Sequence, residues 1–190
     1  MGARKKKNKV RKGPLEQIKS LFRWIFQIAA VILIAYVVVF LWGQSRTNVG
    51  QAMEPTLAGG DRVLLNTFAY RFGGPKRGDI ICFKPNGNQR AQSLLRRVIG
   101  LPGETIQIVD GVIYINGRIY MESQNFPIMT SSGIAKEEIV LGDSEYFVLG
   151  DNRNHSEDSR SADIGSVRLD DIEGKVWFII APRSHFGFVS

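Results

Sequence analysis

The run Gly150-Asp-Asn-Arg-Asn-His-Ser-Glu-Asp-Ser-Arg160 crowds serines, a histidine, acids and arginines into one polar segment. Hydrolysis by a serine needs a base within hydrogen-bond reach of the hydroxyl. His155 adjoins Ser156, but neighbours on an extended chain point to opposite faces. Ser156 therefore has no evident base, and Asp151, Asn152, Arg153, Asp158 and Arg160 suit turns and ion pairs better than chemistry. A second stretch, Gly50-Gln-Ala-Met-Glu-Pro-Thr-Leu57, has the form of a presentation loop. Gly50 frees the backbone, and Pro55 forces Glu54 out of the helical region. Its tip is Ala52, which offers only a methyl group. A third, Arg96-Arg-Val-Ile-Gly-Leu-Pro-Gly-Glu104, offers an arginine. Arginine stays protonated, with a pKa above about 12, and cannot act as a general base.

Other chemistries find less support. The single cysteine, Cys82, sits in the apolar run Asp79-Ile-Ile-Cys-Phe83. It suits burial better than attack, and one cysteine excludes an internal disulfide. His155 and His185 are far apart, and no HExxH or CxxC pattern is present, so neither metal nor cofactor is expected.

The elements that must position these stretches are short, branched and punctuated, as strands are. Strands are predicted at 61–65, 79–83, 94–99, 105–109, 112–116, 146–149 and 176–180. Asp110-Gly111 and Asn116-Gly117 are two-residue hairpin signals. Residues 118–144 are more polar and irregular, which suggests a small inserted subdomain at about 110–145. After residue 42 no stretch keeps a helical period over twelve residues. The expected fold class is mainly β.

Before that domain, Trp24 to Trp42 form a 19-residue run with only Gln27 strongly polar. At about 1.5 Å per residue it matches the hydrocarbon core of a bilayer, and the two tryptophans suit its interfaces. A cleaved signal peptide has a shorter apolar core, about 7–15 residues, followed by a small-residue site that GQSRTNVG does not offer. The net charge of +7 is concentrated ahead of the run. Nine of the 25 basic residues lie within the first 23 positions, against the single acid Glu16. The rest of the chain holds 16 basic and 17 acidic residues, which argues against a nucleic-acid partner. By the positive-inside rule the tail is cytoplasmic and the main domain is outside. The predicted organisation is a basic tail at 1–23, a single-pass transmembrane anchor at 24–42 and an extracytoplasmic β domain at 43–190.

In this order, behind an N-terminal anchor, the three stretches resemble the type I signal peptidases, the peptidase S26-like family in its Gram-positive form. Lys76-Arg-Gly-Asp79 fits as well, and the resemblance covers roughly residues 43–187. It implies a signal-peptidase-like β-sheet domain that cuts after small residues in secretory signal peptides. The family's serine nucleophile is expected in S-M-x-P-T, and its lysine base just before R-V-x-G-x-P-G. Ala52 stands where the serine is expected and Arg96 where the lysine is. The surrounding frame is kept in Met53, Pro55, Thr56, Arg97, Gly100, Pro102 and Gly103. The resemblance further implies that Ser156 orients the base and that Asp158 and Arg160 support the site. It gives a peptide groove lined by Gly50, Gln51, Met53, Pro55, Leu94 and Leu95.

The expected protein is thus a cell-membrane-anchored homologue that keeps a groove for signal peptides or secreted and surface proteins but lacks the catalytic dyad. Family members without the dyad assist surface-pilus assembly beside sortases in Gram-positive bacteria, so pilin and sortase are the expected partners. The alternative is a signal peptidase I, a serine endopeptidase, inactivated by mutation or using a rerouted site at Ser156.

Overall fold

The computed structural model describes residues 14–42, 44–71 and 73–189. It divides near Phe40 into two compact units. The first is dominated by helix α1 (Pro14–Trp42), which opens on a proline whose fixed φ suits a first helical turn. Leu21, Phe22, Ile25, Phe26, Ile28, Val31, Ile32 and Leu33 are exposed all round the helix. Such a surface is stable only in an apolar surrounding. By length and composition the stretch Ile18–Val37 can cross a membrane.

The second unit is mainly β, as the sequence pattern predicts, and the described residues after α1 hold no α-helix. Its twelve strands are β1 (Gln44–Thr47), β2 (Arg62–Asn66), β3 (Ile80–Phe83), β4 (Leu94–Gly100), β5 (Thr105–Val109), β6 (Val112–Ile115), β7 (Arg118–Ile119), β8 (Ile139–Val140), β9 (Glu145–Leu149), β10 (Val167–Arg168), β11 (Ile172–Ala181) and β12 (Gly187–Phe188). An eight-stranded antiparallel sheet runs β1-β2-β11-β3-β4-β9-β10, with β12 added to β11. A four-stranded sheet runs β7-β6-β5-β8.

Alternation along the strands builds the core. On β3, Ile80 and Cys82 join Met53, Leu57, Val63, Leu95 and Val176 on one side. Ile81 and Phe83 join Val98, Tyr146 and Val148 on the other. All four β3 residues are buried, which is why that strand is a continuous apolar run. A third cluster packs Phe147 and Leu149 of β9 against Ile106, Ile108 and Ile113 of the small sheet. Both hairpins of that sheet follow their turn signals. Asp110 and Gly111 have φ of 49° and 77°, and Asn116 and Gly117 have 51° and 72°, as a type I′ turn requires.

Strand β11 starts earlier than its apolar pattern, because its first half is polar but paired. Lys175 Nζ donates to Asp79 Oδ1 at 2.6 Å, and Arg46 Nη2 donates to Glu173 Oε1 at 3.1 Å. Burial would raise the Glu173 carboxyl. Hydrogen bonds from Arg46, Cys82 and Ser93 outweigh it and hold the carboxyl down at about 2. Cys82 donates its thiol to Glu173 at 3.0 Å, and burial pushes that thiol well up from its ordinary value. A thiol so held is a packing group, not a nucleophile.

Candidate functional site

The loop between β1 and β2 is closed at its base by backbone pairing. Asn48 N–H donates to the Asp61 carbonyl at 2.7 Å, and Gly60 N–H donates to the Asn48 carbonyl at 2.9 Å. The Asn48 side chain donates to the Leu57 and Ala58 carbonyls, and the buried Asp61 carboxylate accepts from Ala58 N–H at 2.8 Å. Met53 and Leu57 then anchor the loop from beneath, both with no exposed surface. Gly50, Gln51 and Pro55 stay exposed on its rim, and the tip, Ala52, is 8% exposed. Of the residues predicted to line a groove, Met53 and Leu95 are core residues in one cluster, and Leu94 is half-buried.

Strand pairing sets Leu149, the last residue of β9, opposite Arg97 of β4. The polar run therefore leaves the sheet beside β4 and meets the loop. Asn152 N–H donates to the Ala52 carbonyl at 3.0 Å. Between them Gly150 is a close-approach position. A Cβ there would lie 2.1 Å from Ser156 Oγ and 2.5 Å from the Ala52 carbonyl oxygen. The fold thus brings Ala52 and Ser156 to one point, which a side chain at 150 would block. Ser156 Oγ is buried and has no hydrogen-bond partner among the described residues. His155 turns its Nδ1 to Asn152 Oδ1 at 3.2 Å. A polar cleft of about 220 Å³ opens on this side, lined by Ser156, Arg153, Arg160, Asn154, Thr130 and Ser131 among others.

Three pairs of a buried arginine with a carboxylate hold the run in place. Arg97 grips Asp151 with two parallel bonds, Nε to Oδ1 at 2.8 Å and Nη2 to Oδ2 at 2.7 Å. Thr56 Oγ1 donates to the same carboxylate at 2.6 Å, which ties the loop to the run. Arg160 holds Asp158 through Nε and Nη2, both at 2.8 Å, while Asp158 Oδ2 accepts Gly150 N–H at 3.0 Å. Arg153 donates twice to Glu122 at 2.5 Å and lies 4.2 Å from the centre of the Phe126 ring. Charge-assisted bidentate bonds of this kind fix geometry as well as add energy.

Arg96 differs from these three. It is 5% exposed on β4, with Nε donating to the Glu157 carbonyl at 2.7 Å and Nη1 to the Leu95 carbonyl at 2.6 Å. Burial pushes its guanidinium below the ordinary value, an effect that Asp158 and Glu157 oppose. The predicted site residues thus fall into three groups. Ala52 and Ser156 converge, Arg96 attaches to the residue after Ser156, and Asp158 and Arg160 brace the run.

No sequence motif points to Glu122 or Phe126. They come from the irregular segment after β7 and cover Arg153, with Phe126 also 5.5 Å from Arg97. The one local signal is a lone phenylalanine before Pro127 in an otherwise polar stretch. The same segment docks through Asn154, which accepts Thr130 N–H at 2.9 Å, and through Ile134 N–H, which donates to the Arg160 carbonyl at 2.9 Å.

The family described as "Signal peptidase, peptidase S26" matches residues 21–181. Signal peptidase IB of Staphylococcus aureus is 31% identical over 185 residues, covering 90% of this chain and 94% of that protein. A probable signal peptidase I-2 of Synechocystis sp. is 35% identical over 136 residues, covering 70% of this chain and 61% of that one. A crystal structure of a signal peptidase I from Enterococcus faecalis V583 matches with 33% identity and a TM-score of 0.40, covering 53% of this chain and 95% of that chain.

Proposed function

We propose that this chain, which belongs to the signal peptidase family, peptidase S26, binds signal peptides without cutting them. Family membership implies secreted, signal-peptide-bearing clients and an association with the membrane. The observation that carries the non-cutting reading is the pair of residues at the reactive positions. Ala52, at the tip of the presentation loop, has no hydroxyl to attack a carbonyl. Arg96, in place of a lysine, is a cation that cannot accept a proton at neutral pH. The frame around them supports retained binding. Extended peptides bind such domains by adding hydrogen bonds to exposed strand edges, with shallow pockets for side chains.

In this reading α1 is a single-pass anchor in the cell membrane, its basic tail in the cytoplasm and the β domain outside. Nine Lys/Arg precede the apolar run, against Arg46 and Arg62 in the next twenty residues. Protease added to intact spheroplasts should therefore degrade the β domain and spare the tail and anchor. Full protection of the domain would reverse the orientation. The role that follows is that of a membrane-anchored binding or surface-pilus assembly factor, with pilin and sortase as partners. Support for that finer role is the resemblance to dyad-lacking family members.

The test of the main reading is direct. The detergent-solubilised full chain, incubated with a secretory precursor and followed by mass spectrometry, should release no signal peptide above background. Cleavage that disappears on Ser156→Ala would overturn it and establish a rerouted active site.

A further inference from the structure

An edge strand has backbone hydrogen bonds left to give. One edge of the four-stranded sheet is β7, and both of its residues are exposed. Arg118 lies opposite Ile115 and Ile119 opposite Tyr114, and Tyr120 N–H donates to the Ile113 carbonyl at 2.8 Å. Along an antiparallel ladder, residues in alternation exchange both bonds with the partner strand or turn both away. Tyr120 is bonded inwards, so the N–H and C=O of Ile119 turn away from β6. No strand of the described residues pairs with β7 on that side.

Side chains at this edge are apolar, where natural sheets guard an open edge with charge or proline. Ile119 is 57% exposed and Met121 82%, and Val112 and Ile128 are exposed as well. A cleft of about 200 Å³ adjoins the edge, lined by Ile113, Ile119, Tyr120, Met121 and Phe126 among others. Ile128 stands against Gly111, another lining residue, where an added Cβ would lie 2.7 Å from Ile128 Cγ2. Arg118 follows the other face of β7, as successive strand residues do. It has no carboxylate at ion-pair distance among the described residues.

We propose that β7 is a docking edge for an extended peptide of a partner protein, in addition to the groove proposed above. The edge specifies the peptide. A strand laid antiparallel on β7 exchanges two main-chain bonds with Ile119, through a residue whose side chain shares the face of Ile119. That face is apolar, so the residue is aliphatic. Its neighbour falls opposite Arg118, where an acidic side chain supplies the missing charge. The ligand is therefore a short segment in which aliphatic and acidic residues alternate. Main-chain bonds give such docking its affinity, and the alternate side chains give its specificity. Glu122 and Phe126 belong both to the cleft and to the cover over Arg153, so the docked segment rests against the stretch that braces the polar run.

Two capped fluorescent heptapeptides test the proposal on the full chain in detergent micelles. One is Thr-Val-Glu-Val-Glu-Val-Thr, and the other is the same peptide N-methylated at each valine, which blocks that edge of the peptide in every register. Fluorescence polarisation should show the plain peptide binding about tenfold tighter, the worth of a lost hydrogen bond at the upper end of its range. The second readout is solvent exchange of the Ile119 amide in chain isotope-labelled at isoleucine, its signal assigned from Ile119→Val. That amide should exchange fast in the free chain and slow about tenfold when the plain peptide is present at ten times its Kd. Equal binding of the two peptides, or binding of neither, overturns the docking edge. Binding that leaves Ile119 exchange unchanged places the peptide elsewhere and overturns it as well. An Ile119 amide already slow in the free chain, and quickened by dilution, shows a second copy on the edge and overturns the peptide as its occupant. Ile119→Pro removes the outward N–H without removing a bond to β6, so it should weaken the plain peptide about tenfold. Both main readouts use the unaltered chain, so the proposal does not depend on that variant folding.

Discussion

Changing Ala52→Ser and Arg96→Lys together is expected to give the chain signal-peptide cleavage, while neither change alone does so. The gain has a ceiling of about 10⁶ in turnover, the cost of removing a serine nucleophile from a serine hydrolase. A serine alone would face a permanent cation, and a lysine alone would have nothing to activate. Residues that act as one unit have effects far from additive. The loop already holds its tip through Asn152 N–H to the Ala52 carbonyl, so the introduced hydroxyl needs no backbone rearrangement. The introduced amine ends one atom short of the Nη nitrogens. Its natural partner is Ser156 Oγ, the buried hydroxyl left without a partner. Burial at this position lowers the pKa of a cation, the shift a lysine base needs, with Asp158 and Glu157 opposing it. Activity should therefore rise as pH climbs through the lysine pKa, and Ser156→Ala on the double variant should weaken it. A double variant that folds by circular dichroism yet cuts nothing would show that the groove itself has diverged.

Asp151→Ala should unfold the site more than any change of a surface charge. Its carboxylate is fully buried and accepts two bonds from Arg97 and one from Thr56. Removing it strands a buried guanidinium and a hydroxyl at once. Breaking a buried pair on one side costs about 3–5 kcal/mol. For a domain of this size that corresponds to a fall in Tm of roughly 10 °C. Removing both partners with Arg97→Met and Asp151→Leu should cost less than Asp151→Ala alone, because no unpaired charge remains. Thermal unfolding of the full chain in detergent measures both. A loss below about 1 kcal/mol for Asp151→Ala would mean that the pair does not brace the loop.

Much of the fold is legible where local chemistry dictates it. Asp110-Gly111 and Asn116-Gly117 mark their hairpins because few residues accept positive φ twice in succession. The buried run of β3 and the alternation of β5 stand out because both the strand pattern and the core require them. The β1, β10 and β12 strands do not stand out. They are short, and β1 is polar throughout, so what makes them strands is the neighbour they pair with. The first half of β11 hides for a related reason, since Glu173 and Lys175 are tolerated there only by partners far off in sequence.

The candidate site divides the same way. The ordered motifs place Ala52 and Ser156 close enough to be read together, and the fold brings them to one point. What the motifs do not carry is which way each side chain turns. Met53 and Leu95 have the look of groove residues, yet strand alternation and the loop's closed base direct both into the core. The cover that Glu122 and Phe126 lay over Arg153 joins loop positions 31 and 27 residues away. No local pattern encodes such a contact.

The tip of the loop is located by main-chain atoms: the Ala52 carbonyl receives Asn152 N–H, and bare Gly150 lets the two segments close. Nothing in that arrangement depends on what the residue at position 52 carries beyond its Cβ. Selection for a folded protein is therefore blind to the reactive atom, and mutations there drift on a flat fitness surface once cutting is no longer required. The architecture has the converse property at position 150, where any residue but glycine is purged whether or not the site works. A lineage can thus pass between cutting and holding by changing a few atoms, while its glycines preserve the frame.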